Sequence, residues 1–305
     1  MREMSSMKKV LFITNTSAGK GYIKNKILDI VSRLTNAGCL VSVYPIDPEN
    51  GAESEKVISE CGKDMDVIAC SGGDGTLNRV ISAIVKNDLH VPISYLPSGS
   101  ANDFGKSINN GKAITMDSFC KATAGNNSYK YDIGMVNGRC FNYVAAFGAF
   151  INVSYETPQY MKNAIGYGAY VLGVIAAIPD AIGYSVHMKI EHDNGIEEGN
   201  FILGTVSNAT SVGGIKTPIL KDANLNDGLF ELLLISAPDS VQQLNETLAT
   251  LASGSVDNKN VKVISSSSFK IKCEKEIAWT VDGEEMDSCS EADIKVLGKR
   301  MEIML

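Results

Sequence analysis

Three short loops hold most of the residues that could do chemistry, and each directly follows an apolar run. The stretch ACSGGDGTLNRV, Ala69 to Val80, sets Gly72, Gly73, Asp74, Gly75 and Thr76 between an apolar segment and an amphipathic one. Glycines remove side chains where backbone must come close to a ligand. Free amides at the start of the next helix, with its positive dipole end, then favour phosphate. Thr76 suits an N-cap or first-turn position and can hydrogen-bond an oxygen. Asp74 would repel phosphate directly, so it makes sense through Mg2+ or as an organiser of the loop. Alone, Gly-Gly-Asp is equally a glycine turn with a capping aspartate, because short glycine motifs recur by chance.

A second loop, PSGSANDFGKS, places Gly99, Ser100, Asn102 and Asp103 after the apolar VPISYL. A third, NTSAGKG, places Asn15, Ser17, Gly19 and Lys20 after KKVLFITN. In a parallel sheet the loops at the carboxyl ends of strands share one edge, and ligands bind there. Three loops of this composition, each directly after a strand, favour phosphate binding over an isolated turn.

The elements that must position these loops alternate in type. KKVLFITN reads as a strand, and YIKNKILDIVSRLTNAG carries Ile23, Ile27, Ile30, Val31 and Leu34 at helical spacing before Gly38, a good C′ residue. CLVSVYPI, DVIACSG and VPISYLPSG read as further strands, with AESEKVISECGK and TLNRVISAIVKN as helices. Such alternation predicts a doubly wound α/β domain over residues 1–125, its sheet mostly parallel and covered on both faces. From residue 126 hairpins take over. Asn137-Gly138 and Asp193-Asn194-Gly195 each lie between strand-like runs. FELLLIS, VKVISSSSFKIKC, IAWTVDGE and ADIKVLG follow as strands, with DSVQQLNETLATLAS as a helix among them. An antiparallel β-sandwich over residues 126–287 is expected, with residues 288–305 free to return to the first domain.

Composition bounds the partners. The chain has 305 residues, 44% of them hydrophobic and 21% charged, which reads as an ordinary globular protein of two domains. A net charge of −7 argues against nucleic acid as a partner and against strong attachment to an anionic membrane. Seven scattered cysteines without a C-x-x-C pair read as free thiols of a reducing cytoplasm. MREMSSMKKVLFITN lacks the marks of a signal peptide, so the expected location is cytoplasmic. The uncharged run Ala164 to Ile178, AIGYGAYVLGVIAAI, is shorter than the ~20 residues of a spanning helix and reads as a buried or substrate-lining segment.

GGDGTLN with PSGSANDF downstream, NTSAG upstream and VDGE near the end resembles the diacylglycerol kinase catalytic family, specifically the soluble bacterial lipid kinases related to sphingosine kinases. The resemblance spans nearly the whole chain. The glycine loop is shared with NAD kinases and phosphofructokinases, whereas the Asn-Asp-Phe and Asp-Gly-Glu segments point to lipid kinases. The resemblance implies ATP- and Mg2+-dependent transfer of the γ-phosphoryl group to a lipid hydroxyl in a cleft between two domains. It implies nucleotide contacts from Asn15, Thr16, Ser17, Ala18 and Gly19, from Gly72, Gly73, Asp74, Gly75, Thr76, Leu77 and Asn78, and from Ser100.

By the same resemblance Glu284 takes the role of proton acceptor, with Asp74 and Asp103 beside it in catalysis. A lipid hydroxyl must lose its proton as it attacks phosphorus, which suits a carboxylate. On its residues alone, Asp282-Gly283-Glu284 is a polar hairpin turn. ILKDANLNDGLFELLLI resembles the family's structural magnesium loop, with the Asp227 carboxylate and the main-chain oxygens of Asn224 and Leu229 as ligands. Its other reading is an Asp-Gly turn before a strand.

Three departures bear on the nucleotide. Thr16 stands where the family has proline, Ser100 where it has threonine, and Ile46 where relatives often have a nucleotide-contacting threonine. Asp132 resembles a recurrent family aspartate and reads as adjacent to the site. His90, His187 and His192 have no partner motif, and Trp279 reads as packing. The implied partners are ATP, a lipid with a free hydroxyl, transient contact with the inner face of a membrane, and a second copy of the chain through the β-rich domain. A NAD kinase-like enzyme and a non-catalytic nucleotide or lipid sensor are the competing readings.

Overall fold

A computed structural model describes residues 7–18, 23–46, 52–99, 102–109, 111–148, 185–209, 211–212, 215–216, 223–253 and 259–305. The chain divides into two compact units, one of residues 1–131 with 299–305 and one of residues 132–298.

The first unit alternates strand and helix: β1 (Lys8–Asn15), α1 (Ile27–Asn36), β2 (Cys39–Ile46), α2 (Ala52–Cys61), β3 (Val67–Gly72), α3 (Asp74–Lys86), β4 (Ile93–Pro97), α4 (Asp103–Ile108) and α5 (Met116–Ala124). Strands β2, β1, β3 and β4 lie side by side in that order, all parallel. Ile303, near the end of the chain, adds a further parallel pairing to Ile93 at the β4 edge. The inner strands are apolar on both faces, as a sheet covered on both sides requires. Val10 and Phe12 of β1 pack with Ile30 and Leu34 of α1 and Phe119 of α5. Leu11 and Ile13, one residue out of phase, are buried on the other side. Helix α1 ends where the sequence indicates. Gly38 sits at φ +88° after it, a left-handed position that glycine adopts without strain.

The second unit is antiparallel. It contains β5 (Ser128–Val136), which begins in the first unit, then β6 (Arg139–Phe141), β7 (Val144–Gly148), β8 (Val186–His192), β9 (Gly195–Ser207), the short pair β10 (Ser211–Val212) and β11 (Ile215–Lys216), and β12 (Phe230–Ser236). Helix α6 (Val241–Ser253) and strands β13 (Val261–Ser266), β14 (Ser268–Val281) and β15 (Glu284–Met304) complete it. β13, β12, β9 and β7 are successive antiparallel neighbours, and β14 pairs with β7, β8 and β15. Alternate residues of these strands face one core built on Phe141, Phe147, Phe230, Phe269 and Trp279. Trp279 stacks on Phe147 at 4.5 Å between centroids, a packing role. On the outer face, Leu233 and Ile235 of β12 pack with Leu251 of α6.

The segment VKVISSSSFKIKC, read as one strand, is two. Ser267 breaks it between β13 and β14, and the Asp193 carboxylate accepts the Ser267 amide at 2.7 Å. No helix among the described residues is long and apolar enough to cross a membrane. The apolar run 164–178 lies outside the described residues.

Candidate active site

Strands β1 and β3 are neighbours, while their following helices lead the chain to β2 on one side and β4 on the other. That is the switch point of an open α/β sheet, where loops diverge and leave room for a ligand. The loop after β1 and the loop after β3 meet there. Asn15 donates through Nδ2 to Thr76 Oγ1 at 3.2 Å, and its Oδ1 accepts the amides of Ser17 at 3.0 Å and Ala18 at 3.2 Å. The Thr16 amide donates to the Ile46 carbonyl at the end of β2. The Ile46 side chain itself is buried.

The loop after β3 turns straight into α3. Its N-cap is Gly73, in extended conformation and with no side chain to occupy the first-turn amides. Those donors, together with the dipole of a 13-residue helix, form an anion site of ordinary type. The third loop closes against it. A Cβ on Gly99 would lie 2.6 Å from the Gly73 Cα, and a Cβ on Gly72 would lie 2.5 Å from the Thr76 Cβ. A side chain is therefore excluded at Gly99, where the loops after β3 and β4 touch, whereas a Cβ on Gly73 would lie 3.5 Å from the Gly99 Cα, an ordinary contact. The Ser98 amide donates to the Gly72 carbonyl at 2.8 Å, and Tyr95 Oη donates to the same oxygen at 3.2 Å.

The structure brings Asn15, Thr16, Ser17 and Ala18 together with Gly72, Gly73, Asp74, Gly75 and Thr76. Asp74 is the first residue of α3. Leu77 is fully buried, so only its main chain faces the loop, and Asn78 is buried with Oδ1 accepting from Ser82. Asn102 caps α4 at φ +54° and donates through Nδ2 to the Gly99 carbonyl at 2.8 Å. Asp103 begins α4. Gly19 and Ser100 lie outside the described residues.

In the second unit, Val281 pairs with Glu284 across a two-residue turn in which Asp282 and Gly283 have φ of 49° and 83°. Positive φ at both positions is the type I′ hairpin, so Asp282 and Gly283 form a tight turn that leads into Glu284. Its two carboxylates differ in environment. Asp282 is 4% exposed and accepts the amides of Asn142 at 2.6 Å, Tyr143 at 3.0 Å and Val144 at 3.0 Å. Glu284, the first residue of β15, has a side chain 35% exposed beside Arg139, whose Nη2 lies 3.3 Å from Oε2. Arg139 was not singled out in the sequence. It follows the Asn137-Gly138 turn, and its partner is 145 residues away.

The loop before β12 is anchored by Asp132. Its Oδ2 accepts the Gly228 amide at 2.6 Å and its own amide donates to the Leu225 carbonyl at 2.8 Å. Asp227 Oδ1 accepts the Leu229 amide at 3.0 Å. Glu231, two residues on, has its carboxyl pushed up to about 7, first by burial and then by the charge of Asp227. Among the described residues no cluster of three or more His, Cys, Asp or Glu side chains is arranged for a metal. A cation here would depend on one carboxylate, main-chain oxygens and water. Those hard donors fit a divalent ion such as magnesium.

Comparison with known proteins shows the family and the fold. Residues 9–136 match the diacylglycerol kinase catalytic domain, and residues 145–304 match the YegS C-terminal NAD kinase beta sandwich-like domain. The chain is 32% identical over 276 residues to the diacylglycerol kinase of Staphylococcus haemolyticus (strain JCSC1435), covering 89% of this chain and 81% of that one. It is 31% identical over 281 residues to the diacylglycerol kinase of Staphylococcus aureus (strain JH9), covering 91% and 86%. A solved diacylglycerol kinase structure from Bacillus anthracis str. Sterne has the same fold, with a TM-score of 0.75 at 19% identity, covering 98% of this chain and 97% of that one. A second structure from that organism gives 0.80 at 20% identity, covering 98% and 96%.

Proposed function

The chain belongs to the diacylglycerol kinase catalytic family, whose members are phosphotransferases with an alcohol acceptor, and we propose that it moves the γ-phosphoryl group of ATP onto the free hydroxyl of a diacylglycerol-like lipid. The observation that carries this reading is the contact of Gly99 with Gly73 beside the uncapped first turn of α3. Two chain segments stripped of side chains leave amides to grip phosphate oxygens, as transfer from a nucleotide requires.

The amides of Gly73 to Thr76 hold the nucleotide phosphates, beside the loop that Asn15 folds by accepting the amides of Ser17 and Ala18. Magnesium bound with the nucleotide supplies positive charge against the phosphate oxygens, and Asp74, at the head of α3, is the carboxylate suited to meet it. Glu284 accepts the proton of the lipid hydroxyl. The hydroxyl oxygen forms a bond to the γ-phosphorus as the bond to the bridging oxygen breaks, leaving ADP and a lipid phosphate. A second cation fits the Asp227 carboxylate with the carbonyls of Asn224 and Leu229, as a brace for the loop that Asp132 anchors. Because the acceptor is a lipid, the protein meets its substrate at a membrane surface.

The test uses labelled ATP, Mg2+ and a mixed extract of bacterial lipids. Label is expected in the organic phase and falls at least ~10²-fold with Glu284→Gln and with Asp74→Asn. Label on NAD with none on lipid would favour the NAD kinase-like reading. Nucleotide binding by folded protein with no labelled product at all would favour a sensor.

A further inference from the structure

Glu284 sits in a frame built by one continuous stretch of chain, residues 137–144, which grips the β14–β15 hairpin at three places. Asn137 donates through Nδ2 to the Glu291 carbonyl at 3.0 Å, and its Oδ1 accepts the Asp293 amide at 2.9 Å. Arg139 donates through Nη1 to the Glu285 carbonyl at 2.6 Å while its Nη2 meets Glu284 Oε2. The amides of Asn142, Tyr143 and Val144 close on Asp282. The first grip fixes backbone, and the last holds the buried Asp282 carboxylate with main-chain amides. The middle one brings a side chain to the half-buried Glu284 carboxylate.

We infer that Arg139 is a positioning residue for phosphoryl transfer: anchored on the Glu285 carbonyl, its guanidinium holds the Glu284 carboxylate where it can take the hydroxyl proton. The inference rests on the proton-acceptor role proposed for Glu284. A glutamate side chain has several rotors, and fixing them before reaction removes an entropic cost from the chemical step. The guanidinium suits this task because its planar fork reaches a carbonyl and a carboxylate at once, which a lysine ammonium does less well. As a stabilising contact the pair is minor, since both side chains are about one-third exposed, 34% and 35%. Its value is in orientation.

The experiment compares Arg139→Ala, Arg139→Lys and Glu284→Gln with the unaltered protein, using labelled ATP and the lipid extract. Arg139→Ala is expected to lower kcat by about 10²-fold, the scale of a displacement near 1 Å. Its KM for ATP stays within about twofold, because uniform binding is untouched. Added guanidinium ion restores part of the rate, and Arg139→Lys lies between. An unimpaired Arg139→Ala beside an inactive Glu284→Gln would overturn this inference and leave the kinase reading standing. So would a loss that follows a lowered melting temperature and that guanidinium does not repair. An active Glu284→Gln, or no labelled lipid from the unaltered protein, would remove the proton-acceptor role and this inference with it.

Discussion

Asn15 and Thr76 are joined by a side-chain hydrogen bond of 3.2 Å that ties the end of β1 to the first turn of α3. Asn15 also holds the amides of Ser17 and Ala18 on its Oδ1. Both ends of one amide are thus engaged within the protein, so this residue shapes the loop after β1 and fastens it to α3.

The contact of Gly99 with Gly73 makes the loop after β4 intolerant of a methyl group at Gly99. Gly99→Ala would put a Cβ 2.6 Å from backbone, which cannot swing aside as a side chain can. The expected cost is about 1–3 kcal/mol of stability, with weaker ATP binding as the loops separate. Thermal unfolding and calorimetric titration with ATP measure both, and wild-type values for both would contradict the contact.

Asp282 should matter more to folding than the half-buried Glu284 does. Asp282→Ala leaves three amides without their acceptor, at an expected cost of about 3 kcal/mol or more. The midpoint of urea unfolding should fall well below that of Glu284→Gln. Equal midpoints would show that the cradle contributes little.

The loop before β12 gives a prediction about metal. Mg2+ should raise the melting temperature of the unaltered protein, and Asp227→Ala should lower the metal-free value and abolish the rise. A variant that melts like the parent with and without Mg2+ would remove the cation from this loop.

Asp193 gives the pH dependence. The Ser267 amide and the hydroxyls of Ser267, Ser266 and Ser268 hold its carboxyl below the usual value of 3.8. A depressed folded-state pKa adds stability that is present above pH ~4 and disappears as pH falls through the folded value. Asp193→Asn should therefore be less stable than the parent at pH 7. The gap should close at the acid end of a stability profile, and a gap constant down to pH 2 would refute the assignment.

Much of this was legible because the physics is local. Asn137-Gly138 and Asp282-Gly283 fix type I′ turns from two residue types, and the alternation of apolar and amphipathic runs announces the parallel sheet. Gly38 marks the end of α1 for the same reason. What stayed hidden depends on partners far along the chain. Nothing in VKVISSSSFKIKC shows that Ser267 breaks it, because the anchor is Asp193, 74 residues earlier. Arg139 reads as one more polar residue after a turn until β15 is laid beside it. Composition marks the glycine loops as candidates for phosphate, yet the pressing of Gly99 on Gly73 follows only from the parallel pairing of β3 with β4.

The pairing of Ile303 with Ile93 sets an order of events in the making of this protein. Residues 299–305 belong to the first unit but follow the whole of the second in the chain. A ribosome must therefore translate the complete β-rich unit before the parallel sheet can receive the strand that pairs with β4. Until then the β4 edge stands open, with unpaired main-chain groups that invite pairing with a neighbouring nascent chain. Early termination would thus damage the half of the protein made first.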